Sequence, residues 1–361
     1  TQVPNVTTLL NPNKLNLSIS SFAQDSTGEL YVLDIAGTSI YRLEPASATG
    51  TDTIPILLSN TGCFSATDTR LPATGVIPYD INALFWSDGA VKERYFAIPD
   101  NTTITINAEN DWVFPIGSIL VKSFKLGNPL KLFETRLLMR HTDGSWIGYS
   151  YEWNAAETDA TLVIGSKRKV VNGQNWLYPS SGLCNSCHTT IAGKALGLET
   201  AQLNKSMLYP STGITANQLT TLDSIGMFTA PLADVPANLP ALVNPYDNTA
   251  NLQQRARAYL HTNCSQCHRS GGPTPANMAL NYQTVDANMN ICNVTPLRGD
   301  LGFTGAKIIT PADPNLSILY HRMSNRDANT MPPVGSFIVD TQGASLLQNW
   351  ITNMNNTCVA P

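Results

Sequence analysis

Two segments of the chain carry the same reactive constellation. "SSGLCNSCHTTIAGKALG" (residues 180–197) contains Cys184, Cys187 and His188, and "HTNCSQCHRSGGPTP" (261–275) contains Cys264, Cys267 and His268. Thiols separated by two residues can add to the vinyl groups of a haem as thioethers, and the adjacent imidazole then reaches the iron. The spacing predicts two covalently attached haem c groups, with His188 and His268 each ligating one iron. A redox dithiol or half a zinc site, with the histidine incidental, is the plainer reading of one Cys-x-x-Cys. Two copies with histidine in the same register leave it little room.

Each iron then needs a second axial ligand. For the second haem the segment "RMSNRDANTMPPVGSF" offers Met331, where Pro332 and Pro333 fix φ and stiffen the loop presenting the thioether. A lone methionine is otherwise core filler. For the first haem, His141 beside the Asp143-Gly144 turn is the first candidate, as a hairpin tip projecting into a neighbouring module. A histidine at a hairpin tip is by default solvated. Met207 and Met227 follow the first motif, with Met227 read as more probable core than ligand. His261 could bridge toward the other haem or a propionate, His321 is read as structural or near a haem edge, and an open, five-coordinate iron is the remaining option.

The chain has seven cysteines, so three lie outside the motifs: Cys63, Cys292 and Cys358. In an oxidising compartment the expected disulfide joins Cys292 to Cys358, leaving Cys63 buried, free or bonded outside this chain. Charged residues make up 13% of the sequence, against about 25% in an average soluble chain. That neutral surface suits a periplasmic or extracellular, cell-surface setting. The net charge of −4 and the lack of a Lys/Arg cluster argue against nucleic acid or an anionic membrane as partner. No apolar run approaches the ~18 residues of a membrane span. The sequence opens at Thr1 without Met, so a removed signal peptide or longer upstream piece is expected.

The elements that must position these residues divide at about Asn172. Before it, "TTITIN", "SILVKSF" and "TRLLMRH" have strand-like cores, and Ile147, Tyr149, Tyr151 and Trp153 alternate along one strand face. After it, "ANQLTTLDSIGMF", "NLQQRARAYLHTN" and "DTQGASLLQNWITNM" have helical spacing, with Leu346, Leu347, Trp350 and Ile351 as an apolar stripe. Residues 20–43 read as a hairpin with turns at Ser26-Thr27-Gly28 and Ala36-Gly37-Thr38, and residues 230–245 as a Pro-rich linker. The expected fold is α+β and multidomain: a β-rich, sandwich-like region followed by two mainly α-helical c-type cytochrome modules. Its segments are residues 1–60 (hairpin), 61–172 (β domain), 173–245 (first haem module and linker) and 246–361 (second haem module).

Residues 250–356, with two terminal helices, a Cys-x-x-Cys-His and "MPPVG", resemble a single-domain c-type cytochrome. The whole chain resembles the C-terminal part of a family of secreted bacterial proteins. In that family a six-bladed propeller like that of the quinoprotein sugar dehydrogenases is followed by a β domain and a dihaem region. The stretches that carry this are "GELYVLDIAGTSIYRL", "GVIPYDINALFWSDGAVKERYFAIPD", "DWVFPIGSILVKSFKL", "ETRLLMRHTDGSWIGYSYEWN" and the two motif regions. The resemblance implies the end of a propeller in residues 1–60, too little for dehydrogenase activity in this chain.

The function expected is electron transfer between redox partner proteins or extracellular acceptors, rather than enzymatic catalysis. The chain could serve as a monomer, a homo-oligomer or a filament-forming conduit joined through strand edges. The alternatives are a dihaem peroxidase-like enzyme with one open iron, and the electron-accepting part of a quinoprotein dehydrogenase. Bis-His ligation of the first haem through His141 would place its potential below that of the Met-ligated second.

Overall fold

The computed structural model describes residues 19–34, 40–42, 54–356 and 358. The first elements are strands β1 (Ile19–Gln24), β2 (Leu30–Asp34) and β3 (Ile40–Arg42), a three-stranded antiparallel sheet. The turn joining the first two closes at Gly28, which needs its φ of +92°. The second expected turn, Ala36-Gly37-Thr38, lies outside the described residues.

The middle of the chain contributes β4 (Ile77–Pro78), β5 (Val91–Ala97), β6 (Thr105–Ile106), β7 (Trp112–Val113), β8 (Ile119–Leu126), β9 (Lys131–Arg140), β10 (Trp146–Trp153), β11 (Ala160–Leu162), β12 (Lys167–Val171) and β13 (Gln174–Tyr178). Six of these form one antiparallel sheet in the order β11-β10-β9-β8-β5-β4. Alternation divides its side chains cleanly. Val121, Leu137, Tyr151 and Trp153 on one face pack with Leu58, Cys63 and Phe64. Phe96, Leu120 and Leu138 on the other pack with Tyr79, Ile81, Trp112 and Leu198. Among the described residues no second sheet of comparable size stacks on this one, so the region is not a sandwich. Its small two-stranded pieces and long loops cover the faces instead.

Then follow α1 (Ser181–Cys187), α2 (Thr200–Leu203), β14 (Ser206–Tyr209), β15 (Ile214–Asn217), α3 (Gln218–Ser224), α4 (Leu252–Cys264), α5 (Ile318–Ser324) and α6 (Thr341–Thr352). These six α-helices are short, the longest having 13 residues. The expectation of two mainly helical cytochrome modules is therefore wrong: the described chain is mostly strand and coil, and neither a propeller nor a helical cytochrome module is evident. The physical reason lies between the helices. "GGPTPANM" and "TPLRGDLGFTGA" are rich in proline, which cannot donate a backbone hydrogen bond, and in glycine, with Gly271, Gly299, Gly302 and Gly305 all at positive φ. The chain there runs through successive turns and bends and is pinned by isolated pairings such as Cys292 with Ile309.

The two longest helices do meet. Ala256, Tyr259 and Leu260 of α4 share a core with Leu346, Leu347, Trp350 and Ile351 of α6. They approach closely at Gly343, where a Cβ would lie 2.4 Å from the Tyr259 ring. Cys292 and Cys358 form a disulfide, with Cα atoms 5.7 Å apart, at the edge of this core. Cys63 is a buried thiol in the sheet core. The Pro-rich stretch 230–245 is a strap: the Asn204 side-chain amide donates to the carbonyls of Pro236, Leu239 and Pro240, and Leu242 packs on Ala201 and Ala258.

The Gly343 contact generates a stability prediction. Gly343→Val overpacks the helix crossing and should cost about 1–3 kcal/mol, read as a lower denaturant midpoint. An unchanged midpoint would show that α4 and α6 do not meet at this point in solution.

Candidate haem sites

The first motif is placed by α1, which starts where the Ser180 side chain accepts from the Leu183 N–H. The helix lies on β10 because Gly148 has no side chain: a Cβ there would stand 2.6 Å from Cys184 Sγ. Ser181 Oγ donates to the Gly148 carbonyl at 2.6 Å and fixes the register of helix on strand. His188 follows the helix, and its N–H closes the last turn onto Cys184 O. Its Nδ1–H donates to the Lys194 carbonyl at 2.5 Å, which leaves Nε2 with its lone pair. Burial, with the charge of Lys122 second, pushes the His188 pKa down to about 3, so the ring is neutral and able to ligate a metal.

The second motif ends α4, whose N-terminus is capped by Asn251. His268 continues the helix by donating its N–H to Cys264 O at 2.9 Å, and burial lowers its pKa. A cavity of about 640 Å³, within the ~300–1,000 Å³ of small-molecule and cofactor pockets, is lined by Cys264, Cys267, His268, Met331, Pro332 and Pro333 among others. The structure thus brings together the second motif and the methionine expected to serve it. The Met331 N–H donates to Arg322 O at 2.8 Å. The loop beyond it is fastened to the β region by Asp88, whose carboxylate accepts from the N–H groups of Phe337 and Ile338.

A second cavity, of about 200 Å³, is lined by Cys184, Cys187 and His188. The two cavities share walls: Phe85, Trp86, Cys187, Gln266, Pro332 and Val334 border both. The motif segments also touch directly. Thr189 Oγ1 donates to Gln266 O at 2.9 Å, Arg269 Nη1 to Ile191 O at 3.0 Å, and Cys267 Sγ lies 3.5 Å from Ser186 O.

Burial is the main cause that pushes the thiol pKa of Cys184 up to about 11 and those of Cys187 and Cys264 up to about 12. These are protonated thiols, unlike the low-pKa thiolate of a redox dithiol. Among the described residues no three His, Cys, Asp or Glu side chains converge as a metal site, so a zinc reading lacks its ligand set. A haem c site needs only one histidine beside the thioethers and fits the donors present. None of the four motif cysteines forms a disulfide.

The other candidate ligands are elsewhere. His141 lies on the opposite face of the sheet from the first cavity, 4% exposed, with its Nε2 3.0 Å from the Tyr149 hydroxyl. It is not the sixth ligand of the first haem in this arrangement, because residue parity along β9 turns it into the wrong face. Met227 falls beyond the end of α3 and packs with the core, and Met207 lies on β14; neither lines either of these two cavities. His261 lines the first cavity, but Nε2 holds Glu199 Oε1 at 2.6 Å and Nδ1 accepts from the Tyr282 N–H. His321 stacks on Phe303 with ring centroids 3.9 Å apart and bonds Asn315 O, in a structural role.

Sequence reasoning missed the cations of the first cavity: Lys92, Arg94, Lys122, Arg136 and Arg269. For those on strands the available signal was a Lys or Arg in the middle of otherwise apolar strands, as in "ILVKSF". Burial and the neighbouring Arg94 and Arg136 pull the Lys122 ammonium down to about 7. Among the described residues no helix is long and apolar enough to cross a membrane. No protein family, curated protein or solved structure matches this chain.

The contact at Gly148 is directly testable. Gly148→Val should displace Cys184 and lower covalent haem attachment at the first motif, leaving the second intact, as read by the mass of the intact chain and of its haem peptides. Full double attachment in the variant would show that the strand does not set the position of Cys184.

Proposed function

We propose that this chain is a dihaem c-type protein that carries electrons between redox partners outside the cytoplasm. The observation that carries the reading is the shared wall of the two motif cavities, which would hold two cofactors side by side. Haem iron would supply reversible one-electron exchange. The residues of the chain supply attachment, ligation and dryness. Cys184 and Cys187 would anchor one group and Cys264 and Cys267 the other. His188 offers Nε2 with its tautomer fixed by Lys194 O, and Met331 would offer a thioether in the cavity that His268 also lines. Phe85, Trp86, Pro332 and Val334 form the mostly apolar wall between the cavities.

The extracytoplasmic setting is supported by the Cys292–Cys358 disulfide, which persists in oxidising compartments. The likeness to the dihaem region of secreted bacterial propeller proteins belongs to the same proposal, and in it the acceptor or donor is a partner protein or an extracellular oxidant.

A second reading is favoured by one observation. Among the described residues one other histidine lines the first cavity besides His188, namely His261, and both of its ring nitrogens are already bonded. An iron with an open side there would suit peroxidase-like chemistry, and a high-spin signal that responds to peroxide would support it.

Met331→Ala tests the electron-transfer reading at its best-defined ligand. The variant should keep two haems, lose the weak long-wavelength methionine–iron charge-transfer band of the oxidised protein, and show one lowered midpoint potential, since Met/His ligation raises potential. Persistence of the band and of both potentials would contradict the assignment of Met331.

A further inference from the structure

The inner face of the six-stranded sheet carries a row of like charges. Arg94 on β5 is paired in register with Lys122 on β8, and Lys122 with Arg136 on β9. Like charges directly opposite one another destabilise a sheet, and burial of unpaired cations adds to the cost. All three line the cavity that also holds Cys184, Cys187 and His188.

Compensation within the chain is uneven. Arg136 is neutralised by buried Glu134 through two bonds of 2.8 Å. Arg94, 6% exposed, has Asp80 as its nearest acid at 3.9 Å, and that carboxylate already holds Lys205 at 2.6 Å. The Lys122 ammonium makes no hydrogen bond or ion pair among the described residues. Two acids line the same cavity, and their charge partners are other groups: Glu199 holds His261, and Asp111 interacts chiefly with Arg269 and His261. Arg94, whose other bond is to the Lys92 carbonyl at 3.4 Å, and half-buried Lys122 thus face the cavity without a carboxylate to themselves. A ligand with two carboxylates would complete them, and a haem presents two propionates at the edge away from its thioethers.

We propose that Arg94 and Lys122 hold the propionate carboxylates of the group attached at Cys184 and Cys187, so that the sheet is half of that haem's binding site. This rests on the dihaem reading.

The test uses the full holo-chain and the variants Lys122→Met, Arg94→Gln, Lys122→Arg and, as a charge control on β8, Lys125→Met. Haem content is counted in each, and the propionate bending bands are read by resonance Raman spectroscopy alongside a redox titration. The expected result is two haems throughout. One haem's propionate band should shift, with a lowered midpoint potential, in Lys122→Met and Arg94→Gln. Lys122→Arg should restore the band, and Lys125→Met should leave both unchanged. Unshifted propionate bands in the first two variants would overturn the proposal. So would conversion of one iron to high spin in Lys122→Met, which would make Lys122 an iron ligand. A nitrite-induced spectral change in the unmodified protein that Lys122→Met abolishes would also overturn it, assigning the row to an external anion. Absence of covalent haem from the unmodified chain would instead defeat the dihaem reading itself.

Discussion

The contact between the two motif segments is the constraint on which the rest of the structure depends. The ends of α1 and α4 meet through Thr189 with Gln266 and Arg269 with Ile191, and the cavities below them share Cys187 and Trp86 as walls. These are hydrogen bonds to backbone carbonyls, individually worth only about 0.5–1.5 kcal/mol. They hold because each helix is anchored elsewhere: α1 on Gly148 of the sheet, and α4 on the core around Trp350. The β region is therefore part of the site. Asp88 adds a third fastening, since it gathers the N–H groups of the segment that follows Met331. Trp86 spans the same ground, donating its ring N–H to Ile338 O while its backbone N–H bonds Asn263 of α4.

Local chemistry was legible in the sequence where it is local. Cys184 and Cys187 lie in one helix with His188 as its cap, and Met331 lines the same cavity as His268, groupings that spacing along the chain anticipates. The stripe Leu346, Leu347, Trp350 and Ile351 is a one-helix pattern and does pack on α4. The alternation of Tyr149, Tyr151 and Trp153 likewise lies in one strand and one core. His141 shows the limit: its place beside a turn was visible, but which face it joins depends on a one-residue parity along β9 and on Tyr149 across the ladder. The row Arg94, Lys122 and Arg136 exists only through the register of three strands, and no window of sequence contains it.

The helical content was overread for a related reason. Short windows with helical spacing, such as that of α3, were extended over neighbours whose glycines and prolines end the helix. Gly226, at a φ of +72°, stops α3 before Met227. Long irregular segments of turns and bends held by isolated pairings leave no periodic trace, so they read as linkers. The strap through Leu242 and the loop through Met331 are both ordered by hydrogen bonds to side chains far away in sequence, Asn204 and Asp88.

The account stands on covalent attachment of haem at both motifs, and the most direct measurement is a haemochrome titration of the intact chain after acid-acetone extraction, with its mass read in parallel. The prediction is two unextractable haems per chain, one on the peptide containing Cys184 and Cys187 and one on that containing Cys264 and Cys267. A chain with five free thiols, those of Cys63 and the four motif cysteines, and no bound haem, matured in cells that attach haem c to other proteins, would contradict it.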